Sequence, residues 1–198
     1  MGERGERLGR FEIRVSGSGG QGILLAAAIL AEAATSLGRQ VVQTQSYGPE
    51  ARGGSAKAEV IVADEAIDYP EALSPDINMC LSQAAYAKYA GQTRRGGLVL
   101  YDSGLVTPGD GAAGRRLCGL PFTRTAVEQL GKVVVANIVA VGALVAASEV
   151  LPAYAVEAAV VKRVPERFRE LNVKAFRLGL DLGCDAGGIE GLGGPSAS

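Results

Sequence analysis

Histidine is missing from this 198-residue chain, and so is tryptophan. The first absence excludes Ser-His-Asp and Cys-His catalysis, histidine-ligated zinc and imidazole proton shuttling by the chain's own residues. Cysteine is scarce too: Cys80, Cys118 and Cys184 stand far apart, with no C-x-x-C pair. Three thiols cannot supply a four-thiolate metal site or cluster. Cys80 falls in an apolar run and is expected to be a small buried hydrophobe. An odd count without an export signal fits a reducing, cytoplasmic setting. Charge of one sign is also lacking, since 20 basic residues face 21 acidic ones for a net −1. That balance leaves no basic footprint for nucleic acid or for a membrane surface. The apolar run Val133 to Ser148 spans 16 residues. A membrane span needs about 20, so this run reads as a buried core helix.

What remains is a chain rich in Ala, Val, Leu and Gly, 47% hydrophobic and only 5% aromatic. Small aliphatics packed closely suit helices laid on a parallel sheet, and 20.3 kDa suits one domain. The pattern predicts strands at 10–16, 40–45, 56–63, 76–82 and 98–101. It predicts helices at 21–37 (ended by Gly38 as a left-handed cap), 83–89, 123–130, 134–147, 153–163 and 166–182. The last helix starts after Pro165 and has Phe168, Leu171, Val173, Phe176 and Leu180 as its apolar set. Residues 107–117, rich in Gly, Ala and charge, read as a surface excursion without an assigned role. The expected fold is α/β: a doubly wound, mostly parallel, Rossmann-like sheet in a single domain. A flexible tail at 1–10 would precede a domain at 11–183, and a Gly/Ser-rich tail at 184–198 would follow it.

One stretch carries chemistry. Gly17-Ser18-Gly19-Gly20-Gln21-Gly22 follows the alternating run Phe11, Ile13, Val15 and opens into an alanine-rich helix. A glycine turn between strand and helix lets bare N–H groups face an anion at the helix N-terminus. Gly17-x-Gly19-x-x-Gly22 also matches the dinucleotide fingerprint, but Val41-Val42-Gln43-Thr44-Gln45 lacks the carboxylate that would bind the ribose. A phosphate-bearing ligand or a partner's backbone fits the turn better than a nicotinamide cofactor, and tight strand–helix packing is the bland alternative. The next loop holds Tyr47, Glu50, Arg52, Gly53 and Gly54. Arg52 offers a planar fork for carboxylate or phosphate beside glycines that permit close approach, with Glu50 as a possible local ion-pair mate. Gly109-Asp110-Gly111 with the later Asn137 mimics the spacing of a thiamine-diphosphate/magnesium motif, but Asn137 lies in an apolar helical run. There it is expected to bond a neighbouring loop.

Together, the Gly17–Gly22 turn, Tyr47-Gly-Pro-Glu50 and Arg52-Gly-Gly54 resemble the gamma subunit of 2-oxoacid:ferredoxin oxidoreductases. Gly96-Gly-Leu-Val-Leu-Tyr-Asp-Ser103, Val135-Ala-Asn-Ile-Val139 with Gly142, and Glu170-Leu-Asn-Val-Lys-Ala-Phe176 extend the likeness over residues 11–183. The Tyr-Gly-Pro-Glu-x-Arg-Gly-Gly form is most similar to the 2-oxoglutarate and ketoisovalerate members, and less to the indolepyruvate ones. The resemblance implies a complex that oxidatively decarboxylates a 2-oxoacid with coenzyme A to acyl-CoA, carbon dioxide and reduced ferredoxin. Thiamine diphosphate, magnesium and iron–sulfur clusters would be held by the alpha and beta subunits or a ferredoxin-like subunit, with no cofactor on this chain alone. A homodimer or a dimer of heteromers would result. Gly17, Gly19, Gly20, Gln21, Gly22, Tyr47, Glu50, Arg52, Gly53, Gly54 and Asn137 would face coenzyme A or a partner near its channel. None of them would be catalytic and none would bind metal. The competing readings are a free-standing nucleotide- or phosphate-binding module and an indolepyruvate-type subunit.

Overall fold

The computed structural model describes residues 9–46 and 55–185, with side chains to residue 183. Its centre is a six-stranded sheet in the order β2-β3-β1-β4-β5-β6. The strands are β1 (Arg10–Ser18), β2 (Gln40–Ser46), β3 (Ser55–Ala63), β4 (Ile77–Cys80), β5 (Leu98–Asp102) and β6 (Arg116–Leu120). β1, β4, β5 and β6 pair in parallel, whereas β3 lies antiparallel between β1 and β2. The helices are α1 (Ile23–Ser36), α2 (Gln83–Tyr89), α3 (Phe122–Leu130), α4 (Ala136–Ser148), α5 (Ala153–Arg163) and α6 (Arg169–Asp185).

Alternation along β1 sorts its side chains to two faces. Ile13 and Val15 join Val60, Val62, Ile77, Met79, Leu98 and Leu100 in the main core. α1, α4, α5 and Phe176 of α6 cover that face. Glu12, Arg14 and Ser16 point the other way, into a polar stretch of a face that elsewhere carries a smaller core of Cys80, Tyr86, Ala90, Val99, Val106 and Ala112. Buried Arg14 donates from Nε to Glu59 Oε1 at 2.7 Å, from Nη1 to Gln92 Oε1 at 2.6 Å and from Nη2 to the Ala72 carbonyl at 2.7 Å. Lys57 adds a second cation to Glu59 at 2.8 Å. Every charge in this cluster has a partner, which a buried guanidinium requires. Cys80 sits beside it, fully buried, and burial pushes its thiol up to about 12.

Gly38 ends α1 as expected: its φ is 76°, its N–H donates to Thr35 O, and the Arg39 N–H reaches back to Ala34 O. This is a Schellman arrangement, which a left-handed glycine permits. α4 and α6 meet through glycine. A Cβ at Gly142 would lie 2.1 Å from Phe176 O, and one at Gly179 would lie 2.0 Å from Val139 O.

Four expectations need correction. The excursion assigned to residues 107–117 closes on β6, whose alternating exposure (Leu117 and Gly119 out, Cys118 in) is the mark of a one-sided edge strand. The last helix is split, with a 3-10 turn over Glu166–Phe168 before α6. Phe168 is exposed rather than core, because the buried face of α6 is Asn172, Ala175, Phe176, Gly179 and Gly183. The run at Val133 also begins in the open: Val133 and Val134 are 60% and 71% exposed, and the buried helix starts only at Ala136.

Candidate site at the carboxyl edge of the sheet

β1 leads through α1 to one flank of the sheet, and its neighbour β4 leads through α2 to the other. The gap between their carboxyl ends is thus a topological switch point, where α/β folds place ligands. Gln21 bridges it. Its Oε1 accepts from the Ser18 N–H at 2.6 Å and its Nε2 donates to the Leu81 carbonyl at 2.7 Å. Gly17 must be small here, since a Cβ would sit 2.5 Å from Gln21 Oε1.

Gly20 and Gly22 have φ of 85° and 70°, which L side chains rarely adopt. A Cβ on Gly19 or Gly20 would meet nothing within 4 Å, so the tip of the turn is open. Gly22 starts α1 without a side-chain cap, and the first turn has no acidic residue. The early N–H groups of a helix carry partial positive charge and attract anions.

Beside the turn is a pocket of about 390 Å³ lined by Gly20, Gln21, Leu81, Asp102, Thr123 and Asn137, with Leu105, Val133, Val134 and Ala136 completing the wall. Asn137, 4% exposed on the first turn of α4, donates from Nδ2 to Gly22 O at 3.1 Å. Its Oδ1 is buried without a partner. Flipping the amide would press that oxygen against the Gly22 carbonyl, so the assignment is fixed by chemistry. Asp102, 1% exposed, ends β5 and receives the Thr123 N–H at 2.8 Å, the Thr123 hydroxyl at 2.6 Å and the Gly104 N–H at 2.9 Å. It thereby caps α3. Leu105, Val133 and Val134 leave an apolar rim.

The two zones suit different chemistry. The pocket wall is mainly apolar, with Asp102 taken up by Thr123 and Gly104 and Asn137 Oδ1 itself buried, which disfavours a phosphate inside and favours uncharged groups. Glycine N–H groups at the outer turn favour an anion.

The structure thus brings Gly17, Gly19, Gly20, Gln21, Gly22 and Asn137 together, with Gly17 and Gln21 spent on holding the turn. Tyr47, Glu50, Arg52, Gly53 and Gly54 lie outside the described residues. The strand ends that bracket them, Ser46 and Ser55, are at this same edge, with Ser55 in register with Ser18. Asp102, Thr123, Leu105, Val133 and Val134 were not expected here. A carboxylate ending an apolar strand was the available signal for Asp102. Exposed Asp110 lies in a 3-10 turn on the α2 side of the sheet, away from Asn137, so the thiamine-like spacing assembles nothing. Among the described residues, no group of three or more metal-ligating side chains forms, and no helix is long and apolar enough to cross a membrane.

An α/β domain with a glycine turn at its switch point and a pocket beside it defines a broad class. Comparison narrows it, because residues 12–182 match the family model of pyruvate ferredoxin/flavodoxin oxidoreductases. The chain belongs to that family. It is 46% identical over 175 residues to the 2-oxoglutarate synthase subunit KorC of Methanocaldococcus jannaschii, covering 87% of this chain and 94% of that one. The corresponding Archaeoglobus fulgidus subunit is 45% identical over 171 residues, covering 86% of this chain and 87% of that protein. Among solved structures, the gamma subunit of a keto/oxoacid ferredoxin oxidoreductase from Geobacter sulfurreducens superposes with a TM-score of 0.80 at 44% identity. That match covers 90% of this chain and 98% of the other.

Proposed function

We propose that this chain is the gamma subunit of a 2-oxoglutarate:ferredoxin oxidoreductase, an enzyme acting on the oxo group of its donor. It works in the cytoplasm within a heteromer whose alpha and beta subunits supply the thiamine chemistry. The observation that carries this reading is the end-to-end likeness to 2-oxoglutarate synthase subunits. A free-standing nucleotide module is less supported, because the strand beside β1 on this flank is the antiparallel β3, which enters at Ser55 and so brings no carboxylate at a strand end to bind a ribose. An indolepyruvate-type subunit is likewise the weaker reading.

The site fits a coenzyme A contact at its rim. Gly19 and Gly20 offer open backbone beside the uncapped start of α1, and Arg52 on the adjoining segment adds a guanidinium. The open turn takes a phosphate on its backbone N–H groups. The mainly apolar pocket takes the uncharged part of a ligand or of a partner's chain, and its apolar rim docks alpha or beta. Thiamine diphosphate brings the carbanion chemistry of decarboxylation when bound to the partners. This chain's part is to bind, orient and exclude water.

A test is Gly19→Glu in the reconstituted complex. Gly19 has unobstructed space and no left-handed φ, so the fold tolerates the change. Its carboxylate should raise KM for coenzyme A about tenfold, equivalent to about 1.4 kcal/mol of lost binding, with kcat and the 2-oxoglutarate KM unchanged. An unaltered coenzyme A KM would remove the turn from the binding site. Substrate-dependent dye reduction by the isolated chain would overturn the subunit assignment itself.

A further inference from the structure

The two edges of the sheet are built differently. β6 has only five residues, opens on Arg116, and holds Gly119 under the Tyr101 ring, where a Cβ would lie 2.5 Å away. A short, charged, glycine-bearing edge resists pairing with another strand. β2 has none of these guards. Its seven residues, Gln40-Val-Val-Gln-Thr-Gln-Ser46, include no charge, proline or glycine. Arg39, the cation just before it, is already ion-paired with Asp64. Among the described residues, no backbone group of β2 bonds anything beyond its pairing with β3.

A long, uncharged, β-prone edge is an aggregation hazard unless something covers it. We propose that β2 pairs antiparallel with β2 of a second copy of this chain, joining two six-stranded sheets into one. The strand suits itself as a partner. The register that pairs all seven residues centres on Gln43, setting Val42 of each copy opposite Thr44 of the other and Val41 opposite Gln45. In the Val42–Thr44 pairs β-branched residues face each other, and no charge opposes its like. A neutral strand also has nothing with which to select an acidic or basic partner. This interface lies along the flank of the sheet and the pocket lies at its carboxyl edge, so pairing leaves the pocket to other subunits. The inference does not rest on the function proposed above.

The experiment is sedimentation of the full chain over roughly 1–100 µM, the range in which a single interface of this kind dissociates. Wild type, Gln43→Lys, Gln43→Glu and an equimolar mixture of the two variants are compared. Gln43 is exposed, so the monomer fold is kept, which circular dichroism verifies. Wild type should dimerise. Each variant, with like charges facing across the two-fold axis, should dissociate about fivefold more readily, and the mixture should recover wild-type affinity or better. A wild type that stays monomeric throughout overturns the proposal. So does a dimer indifferent to the variants, or one weakened by both without recovery in the mixture.

Discussion

Replacing Gly179 by Ala at the crossing of α4 and α6 should be far more damaging than the added methyl suggests. Inside an exposed helix the change is favourable by about 1 kcal/mol, because alanine is the better helix former. Here the methyl carbon would sit 2.0 Å from Val139 O and 2.9 Å from Gly142 Cα, whereas ordinary contact starts at 3.4 Å. All of these neighbours are backbone, so no side chain can turn aside. The helices must part by roughly 1.4 Å, the difference between 3.4 and 2.0 Å. A gap of even 0.5–1 Å forfeits roughly a quarter to a half of the dispersion attraction along a contact. Overpacking alone costs about 1–3 kcal/mol, and the lost contacts add to it. After the helix-propensity gain, we expect a net loss of about 2–3 kcal/mol. For a chain of this length that lowers Tm by about 5–10 °C in calorimetry. Gly109→Ala, where a Cβ meets nothing and φ is −125°, is the control and should stay within about 0.5 kcal/mol. Equal stability of the two variants would refute the close crossing.

Glu59→Gln should cost about 3 kcal/mol at neutral pH, because it leaves Arg14 buried and without its anion. Burial alone would push the Glu59 carboxyl up, but Lys57 and Arg14 hold it below its ordinary 4.5. Its contribution is therefore present above pH 4.5 and lost as pH falls through the depressed folded value. Urea unfolding at neutral and acidic pH should show the variant's deficit shrinking in acid, and a constant deficit would contradict the pairing. For Cys80, a thiol pushed up to about 12 by burial should resist iodoacetamide at pH 8 and react only after denaturation. Peptide mapping of labelled native protein checks this, and modification of native Cys80 would refute it.

Much of the fold could be read from local signals that tertiary context left alone. The Gln83–Tyr89 and Ala153–Arg163 helices fall where their patterns and flanking residues put them, and Gly38 caps α1 as a left-handed glycine should. The failures share a cause. β6 was obscured because one glycine and one arginine in a five-residue edge strand resemble a loop, and only pairing with β5 reveals the strand. Phe168 was misassigned because size suggested burial, whereas α6 packs through Ala175, Gly179 and Gly183. At a close crossing the smallest residues face inward, against the usual expectation. The glycine turn was legible from strand–turn–helix context, but Asp102, Thr123 and Val133 reach the pocket from distant parts of the chain. No local spacing could have joined them.

Gln21 explains why this domain suits a heteromer. In a dinucleotide-binding fold the ligand enters the crevice between the diverging strands. Here Gln21 occupies that position, tying Ser18 to Leu81 by two bonds of 2.6 and 2.7 Å. The crevice is shut from within, and the recognition surface moves outward to the turn and the apolar rim. Val133 and Val134, more than half exposed, gain from burial that this chain does not provide. The amide that ties β1 to the end of β4 thus leaves the open turn and the apolar rim as the surfaces this domain offers to other subunits.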